Sequence, residues 1–349
     1  MIEISYPKNK KEFEKEYLAL FDIQKIEKAW EDELKSIDKN SKQIFDSSIK
    51  KLLLLPFNKL LEIYKKFPKN EKSEDIKKSI YTEYQPEIAK FFMKYSKEIN
   101  LKTCYFCNID FINTVNFDVL DILKEGTKQE LKELDGIGDI YAEAIIDYRE
   151  NNVINTIQDI TNIKGINNVS KIEESIVVKN HFTLDHFLPK AECPILALSL
   201  YNFVPSCYSC NSKFKKEIKL LESYLSPTSK DFSVGKDIKF KAYYKDKVKK
   251  SNLTLEMKYP KNIQSYILTF KLKGRYEFHK NEAFELIEKQ EKYSETRIDE
   301  IANILKISPH QVKKDIFGKE LFEGDIQDKS FTKMKRDVAK NIGIKGVKE

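Results

Sequence analysis

Residues 201–211 read YNFVPSCYSCN. Two cysteines three apart, Cys207 and Cys210, follow a short apolar run, and Asn211 comes directly after them. The same spacing occurs upstream at Cys104 and Cys107, with 99 residues between the two pairs. A CxxC turn aims two thiolates at one point, and two such turns complete a tetrahedral zinc site. A thioredoxin-like redox motif needs only one pair, in a strand–helix context, and disulfide frameworks belong to oxidising compartments. The matched pairs therefore point to a structural zinc ion held by Cys104, Cys107, Cys207 and Cys210. The fifth cysteine, Cys193, reads as a small buried apolar residue.

Working outward, residues 184–190 read LDHFLPK, placing one of only four histidines, His186, behind Asp185. Asn202 follows within the next 16 residues, before the second cysteine pair. Each residue alone has a plain role: Asp185 as a strand end, Asn202 as a turn former, Asn211 as a helix N-cap. The order CxxC, Asp-His, Pro, Asn, CxxC, Asn resembles the HNH endonuclease family in its zinc-ribbon-supported ββα-metal form. The resemblance covers about residues 101–111 and 178–221. It implies that Asp185 and Asn211 hold a catalytic Mg²⁺ or Mn²⁺ ion, and that His186, on the opposite side of its strand from Asp185, is the general base. It further implies that Asn202 ties the loop between the strands and orients His186. Lys213 and Lys215, in the helix after Asn211, are then candidates for the phosphates of the scissile strand. His181 reads as a strand residue.

The segment between the cysteine pairs has a signature of its own. TKQELKELDGIGDIYAEAIIDYRENN is followed by TIQDITNIKGINNVSKI. Leu131 and Leu134 precede a Gly-Ile-Gly turn, and Ala142, Ile145 and Ile146 follow at helical spacing. Gly136 and Gly138 allow backbone angles that other residues avoid, and such a turn leaves N–H groups at a helix start for a phosphate oxygen. This part resembles the doubled helix-hairpin-helix DNA-binding motif of competence-type proteins. The second copy runs Lys164-Gly165-Ile166-Asn167, and Asp139 stands where many members carry a lysine. The resemblance makes Gly136, Gly138 and Gly165 substrate-binding candidates. A helical pair used only for packing or protein contacts is the alternative.

Residues 1–100 carry apolar residues at i, i+3, i+4 with charged opposite faces and read as a helical region. Pro56 should kink or start a helix, and Pro86 should sit in the first turn of another. After residue 225, DIKFKAYYKDK and SYILTFKLKG alternate as half-buried strands of one antiparallel meander, with Lys239, Lys241, Tyr243 and Lys245 on the outer face. EAFELIEKQEKYSETRIDEIANIL reads as one long helix, SPHQVKKDIFG as a helix begun at Ser308, and SFTKMKRDVAKNIG as a last basic helix.

The chain has 349 residues, with 62 Lys and Arg against 55 Asp and Glu. A surplus of seven positive charges over this length supports a polyanion partner only weakly. No basic start leads into an apolar run, and no apolar stretch approaches about 18 residues, so the expectation is a cytoplasmic protein with no membrane partner. The fold expected is α+β and mostly helical: a helical region at 1–100, a split HNH core at 101–115 and 178–224, a helix-hairpin-helix insertion at 116–177, and a C-terminal sheet with helices at 225–349. The function expected from the resemblance is metal-dependent hydrolysis of DNA, most naturally duplex DNA, in restriction or antiphage defence. The alternatives are a non-catalytic zinc-containing nucleic-acid-binding module and a nuclease subunit controlled by a partner protein. A homodimer is left open, and no GxxxxGK[ST] phosphate loop is present.

Overall fold

Apolar residues at helical spacing dominate the chain, and the fold is accordingly α+β and mostly helical. The computed structural model describes residues 1–68, 74–173, 175, 177–244 and 249–349. Among them the strands form three two-stranded antiparallel sheets. β1 (Thr114–Phe117) pairs with β2 (Val177–Asn180), β3 (Thr183–His186) with β4 (Phe203–Ser206), and β5 (Lys239–Tyr243) with β6 (Thr254–Lys258). The chain divides into two compact units, one of residues 1–113 with 182–349, the other Thr114–His181.

In the larger unit, one hydrophobic core joins what the sequence suggests as three separate regions. The two-stranded β3–β4 hairpin buries too little apolar surface to stand alone, so helices from both ends of the chain close over it. Phe57 opens the Phe57–Lys66 helix directly after Pro56, and its ring meets Phe187 edge-on at 5.3 Å. Tyr17 donates its hydroxyl to the Leu198 carbonyl at 2.8 Å. From the other end, Phe270 stacks on Phe106 at 4.5 Å, and Tyr266 donates to the Phe106 carbonyl at 2.8 Å. Each fully buried aromatic contributes about 1.5–3 kcal/mol of transfer free energy.

Several local expectations are corrected. Pro86 lies inside the Glu74–Lys94 helix, not in its first turn. Ile80, Tyr81, Tyr84, Ile88, Phe91 and Phe92 form a continuous buried stripe across it, and that burial outweighs the roughly 3 kcal/mol cost of an interior proline. The SYILTFKLKG segment is helical, in Gln264–Thr269 and Leu272–Phe278, joined by left-handed Lys271. Its alternation is only apparent: Leu268 is exposed and Ile267 is buried, which is a helical face. The partner of β5 is the LTLEMK run, whose Leu255 and Met257 lie opposite Ala242 and Phe240. Lys245 lies outside the described residues. The long helix is two, Asn281–Lys292 and Glu295–Leu305, because Ser294 caps the second by accepting the Arg297 N–H. His181 occupies a bend between β2 and β3.

The smaller unit extends slightly beyond the expected insertion, since β1 and β2 close its ends. Leu131, Leu134, Ala142, Ile145, Ile160 and Ile163 belong to its own core. Its two glycine turns are built alike. Ile137 N–H donates to the Leu134 carbonyl and Ile166 N–H to the Ile163 carbonyl, each at 3.1 Å. Gly136 has φ +89° and Gly165 φ +98°, a region that costs other residues about 1–2 kcal/mol. Gly138 differs, being extended with open space where a Cβ would stand. A Cβ on Gly165 would also sit 3.1 Å from the Tyr141 ring. Gly165→Ala is therefore expected to destabilise this unit by about 1–2 kcal/mol from backbone strain alone, with the Tyr141 contact added, and Gly138→Ala, which meets neither a positive φ nor a close contact, by less. Hydrogen exchange of the Asp139–Asn151 helix in the full chain measures the difference; equal protection in both variants would contradict it.

Candidate active site and metal centre

The first CxxC turn closes with Cys107 and Asn108 N–H groups donating to the Cys104 carbonyl at 3.2 and 2.8 Å. Asn108, at φ +52°, donates its amide to Thr103 Oγ1 and to the carbonyls of Ile326 and Lys329. The second turn leaves β4, and Cys210 N–H donates to Cys207 Sγ at 3.4 Å. Cys207 N–H donates to Cys104 Sγ across the two turns, also at 3.4 Å. All four sulfurs are buried and lie within 4.8 Å of one another, a group able to hold a metal ion such as zinc.

Sequence reading missed Arg275, on the Leu272–Phe278 helix. Its guanidinium donates to Cys210 Sγ at 3.1 Å, Cys107 Sγ at 3.5 Å and Asp110 Oδ2 at 2.9 Å. Four thiolates on a divalent ion would carry two net negative charges, which this cation, shared with Asp110, would partly offset. No local signal marks a residue 65 positions beyond the nearest cysteine.

The β3–β4 hairpin presents the other candidates. Its register sets Asp185 opposite Val204 and His186 opposite Phe203. Strand alternation puts Thr183 and Asp185 on one face, His186 on the other. The Ser209–Lys215 segment, wound as a wide π-type turn, covers the first face. Asn211 donates its amide to Thr183 Oγ1 at 3.0 Å, and Lys215 donates to Asp185 Oδ1 at 3.1 Å. Asp185 is 2% exposed, and its Oδ2 has no hydrogen-bond partner. Burial raises its carboxyl pKa, with Lys215 opposing.

Lys215 corrects an expectation. It is fully buried, and its ammonium also donates to the His186 carbonyl at 2.8 Å. Both bonds turn it inward, away from any phosphate on the surface. Lys213 does lie on the surface, its ammonium 5.8 Å from the Tyr208 ring centre.

On the opposite face, His186 Nε2 lies 2.8 Å from the Ala197 carbonyl oxygen. A carbonyl only accepts, so Nε2 carries the hydrogen and Nδ1 of the neutral ring carries the lone pair. Tyr81 meets the ring edge-on at 4.5 Å and Phe203 packs at 4.8 Å. Tyr81 comes from the Glu74–Lys94 helix, so the N-terminal region is more than scaffold: it supplies a wall of this site. Lys190 lies over the Tyr81 ring, its ammonium 3.7 Å from the ring centre. Burial, then the positive charges of Lys190 and Lys215, push the His186 pKa down to about 3, against the raising effect of the Ala197 bond. The ring is neutral near pH 7.

Asn202, fully buried, ties the 187–202 loop shut. Its amide donates to the carbonyls of Leu188 and Leu196 at 3.1 Å each, and its Oδ1 accepts the Leu188 N–H at 2.8 Å. Leu196 adjoins Ala197, so the same bonds hold the carbonyl that orients His186.

Gly136, Gly138 and Gly165 belong to the smaller unit, where a cleft of about 310 Å³ is lined by Gly136, Ile137, Gly165, Ile166 and Lys171. Tyr141 donates to the Gly165 carbonyl beside it at 3.1 Å. Asp139 draws Lys132 to 2.9 Å and Lys128 to 3.6 Å, so both lysines are engaged by a carboxylate of the same unit. Residues 114–181 carry 13 acidic and seven basic side chains, against 42 and 55 in the rest of the chain. Compared with protein-family models, curated proteins and solved structures, the chain finds no match.

Proposed function

We propose that the chain is a metal-dependent endonuclease of the HNH type, hydrolysing phosphodiester bonds in DNA. The observation that carries this reading is the β3–β4 hairpin: His186 with its Nδ1 lone pair on one face, Asp185 with an unpartnered buried oxygen on the other, and Asn211 on the helix covering Asp185. In this reading the four cysteines hold zinc as a structural ion, which supplies folding free energy that so small a hairpin lacks.

Asp185 and Asn211 would hold a Mg²⁺ or Mn²⁺ ion. Both offer hard oxygen donors, and the orphaned Asp185 Oδ2 is the kind of buried atom a cation satisfies. When bound, the ion supplies Lewis-acid stabilisation of the charge that develops on the phosphoryl oxygens.

The chain's own residues do the rest. His186 Nδ1 takes the proton of the attacking water as its oxygen bonds to phosphorus. The bond from phosphorus to the 3′ oxygen breaks and that oxygen takes a proton from solvent water, leaving 5′-phosphate and 3′-hydroxyl ends. Tyr81, Phe203 and the Ala197 carbonyl keep the imidazole from rotating, and Asn202 holds the loop that carries Ala197. The cations that depress the His186 pKa favour the proton-accepting form. A substrate phosphate near Lys190 would offset that charge and strengthen the base.

The phosphate-seating surface belongs to the larger unit in this reading, because it carries the positive surplus. The acidic excess of residues 114–181 disfavours a phosphate-binding role for that unit and suits protein contacts better. The buried Asp185–Lys215 pair keeps a second reading in play, a zinc-containing module that binds nucleic acid without cutting it. Incubation of supercoiled plasmid with the purified protein in Mg²⁺ or Mn²⁺ separates the two. Nicked or linear product supports the nuclease, and retention of plasmid without cleavage supports the binding module.

A further inference from the structure

We propose that Lys215 is a built-in counter-cation of Asp185 that weakens the site's hold on a divalent ion. The inference rests on the nuclease reading above. The Lys215 side chain is 1% exposed and the Asp185 side chain 2%, and charged side chains are almost never buried this deeply unless paired. The ammonium donates to Asp185 Oδ1 at 3.1 Å and to the His186 carbonyl at 2.8 Å, and lies 5.8 Å from the Phe187 ring centre. Leaving would strand a buried carboxylate with two unsatisfied oxygens, which is strongly unfavourable. Lys215 is therefore fixed in place.

A wide turn delivers it there. The Lys216 N–H closes on the Asn211 carbonyl at 2.9 Å, and the segment stops at Lys216 with φ +46°. One turn thus sets both Asn211 and Lys215 over the Thr183–Asp185 face. An ion entering on Oδ2 shares its carboxylate with a fixed positive charge. Two positive charges held on one buried carboxylate repel strongly, because little water lies between them to screen them. The pair holds Asp185 in position while no ion is bound, at the expense of ion affinity.

The test is Mn²⁺ binding to the zinc-loaded full chain without DNA, read by the electron paramagnetic resonance signal of free Mn²⁺. Lys215→Met removes the charge and keeps the length. Lys215→Gln removes the charge and keeps a donor for the two oxygens, which guards against loss of fold; zinc content and melting temperature check both. Each is expected to bind Mn²⁺ about tenfold tighter or more than wild type. Lys213→Met makes the same charge change on the exposed side of the turn and should stay within about twofold. Wild-type or weaker affinity in zinc-retaining Lys215 variants overturns this inference alone. Absence of Mn²⁺ binding in wild type and in every variant overturns it together with the catalytic-ion part of the nuclease reading.

Discussion

Replacing His186 by alanine is expected to slow plasmid cleavage by about 10²–10⁴-fold, the usual contribution of a positioned general base. Zinc content should stay at the wild-type level, because the His186 ring is held by Ala197, Tyr81 and Phe203 and not by the cysteine turns. The imidazole is held on three sides, by the Ala197 carbonyl, Tyr81 and Phe203. Its removal leaves a hole beside two aromatic rings, and some loss of melting temperature should follow. His186→Asn is the companion variant, since it fills part of the hole without supplying a base of similar strength. If both variants lose activity and only alanine loses stability, the loss belongs to the proton acceptor. Equal cleavage by wild type and both variants would remove His186 from the mechanism.

Loss of the cysteine-bound metal should have a larger effect on stability. Structural zinc sites bind with apparent free energies of about 10–16 kcal/mol near neutral pH, comparable with the whole stability of a typical domain, about 5–15 kcal/mol. Cys207→Ser is therefore expected to lower zinc content sharply and to unfold the unit formed by residues 1–113 and 182–349. The Thr114–His181 unit has its own core and should keep its helices. Hydrogen exchange distinguishes the outcomes: protection lost around Phe106, Phe187 and Phe270 but kept at Ala142 and Ile145. A variant that lost its metal and kept all of its protection would show that the cluster does not hold the fold together.

The parts legible in the sequence were those whose signal is local. Two CxxC turns can be read from spacing alone, and the structure gathers all four sulfurs into one buried group. The glycine turns at Gly136 and Gly165 were legible because positive φ narrows the choice of residue. Asn202 was expected to tie the loop only from the family resemblance, and its three bonds span that loop. What could not be read depends on distant chain. Tyr81 and Arg275 reach their sites from about 100 residues upstream and 65 residues downstream, through tertiary packing with no periodic mark. Lys215 carried a clear lysine signal, but only the sense of the π-type turn decides whether it meets water or Asp185. The SYILTFKLKG segment failed for another reason. Five apolar residues in a short run satisfy both a period of two and a helical face, and the choice fell to which of Ile267 and Leu268 found a partner.

The pairing of β1 with β2 also bears on how the protein is made. At about 5–20 residues per second, Cys104 and Cys107 leave the ribosome roughly 5–20 s before Cys207. In that interval the smaller unit has all of its own core and can close, bringing Thr114 beside Asn180. A nascent chain that has done so reaches the second cysteine pair across only about 30 loose residues instead of 99. By loop-closure entropy the shortening spares the metal site roughly 1 kcal/mol. Closed in this order, the inserted unit would serve during synthesis as a clasp that brings one cysteine pair to the other.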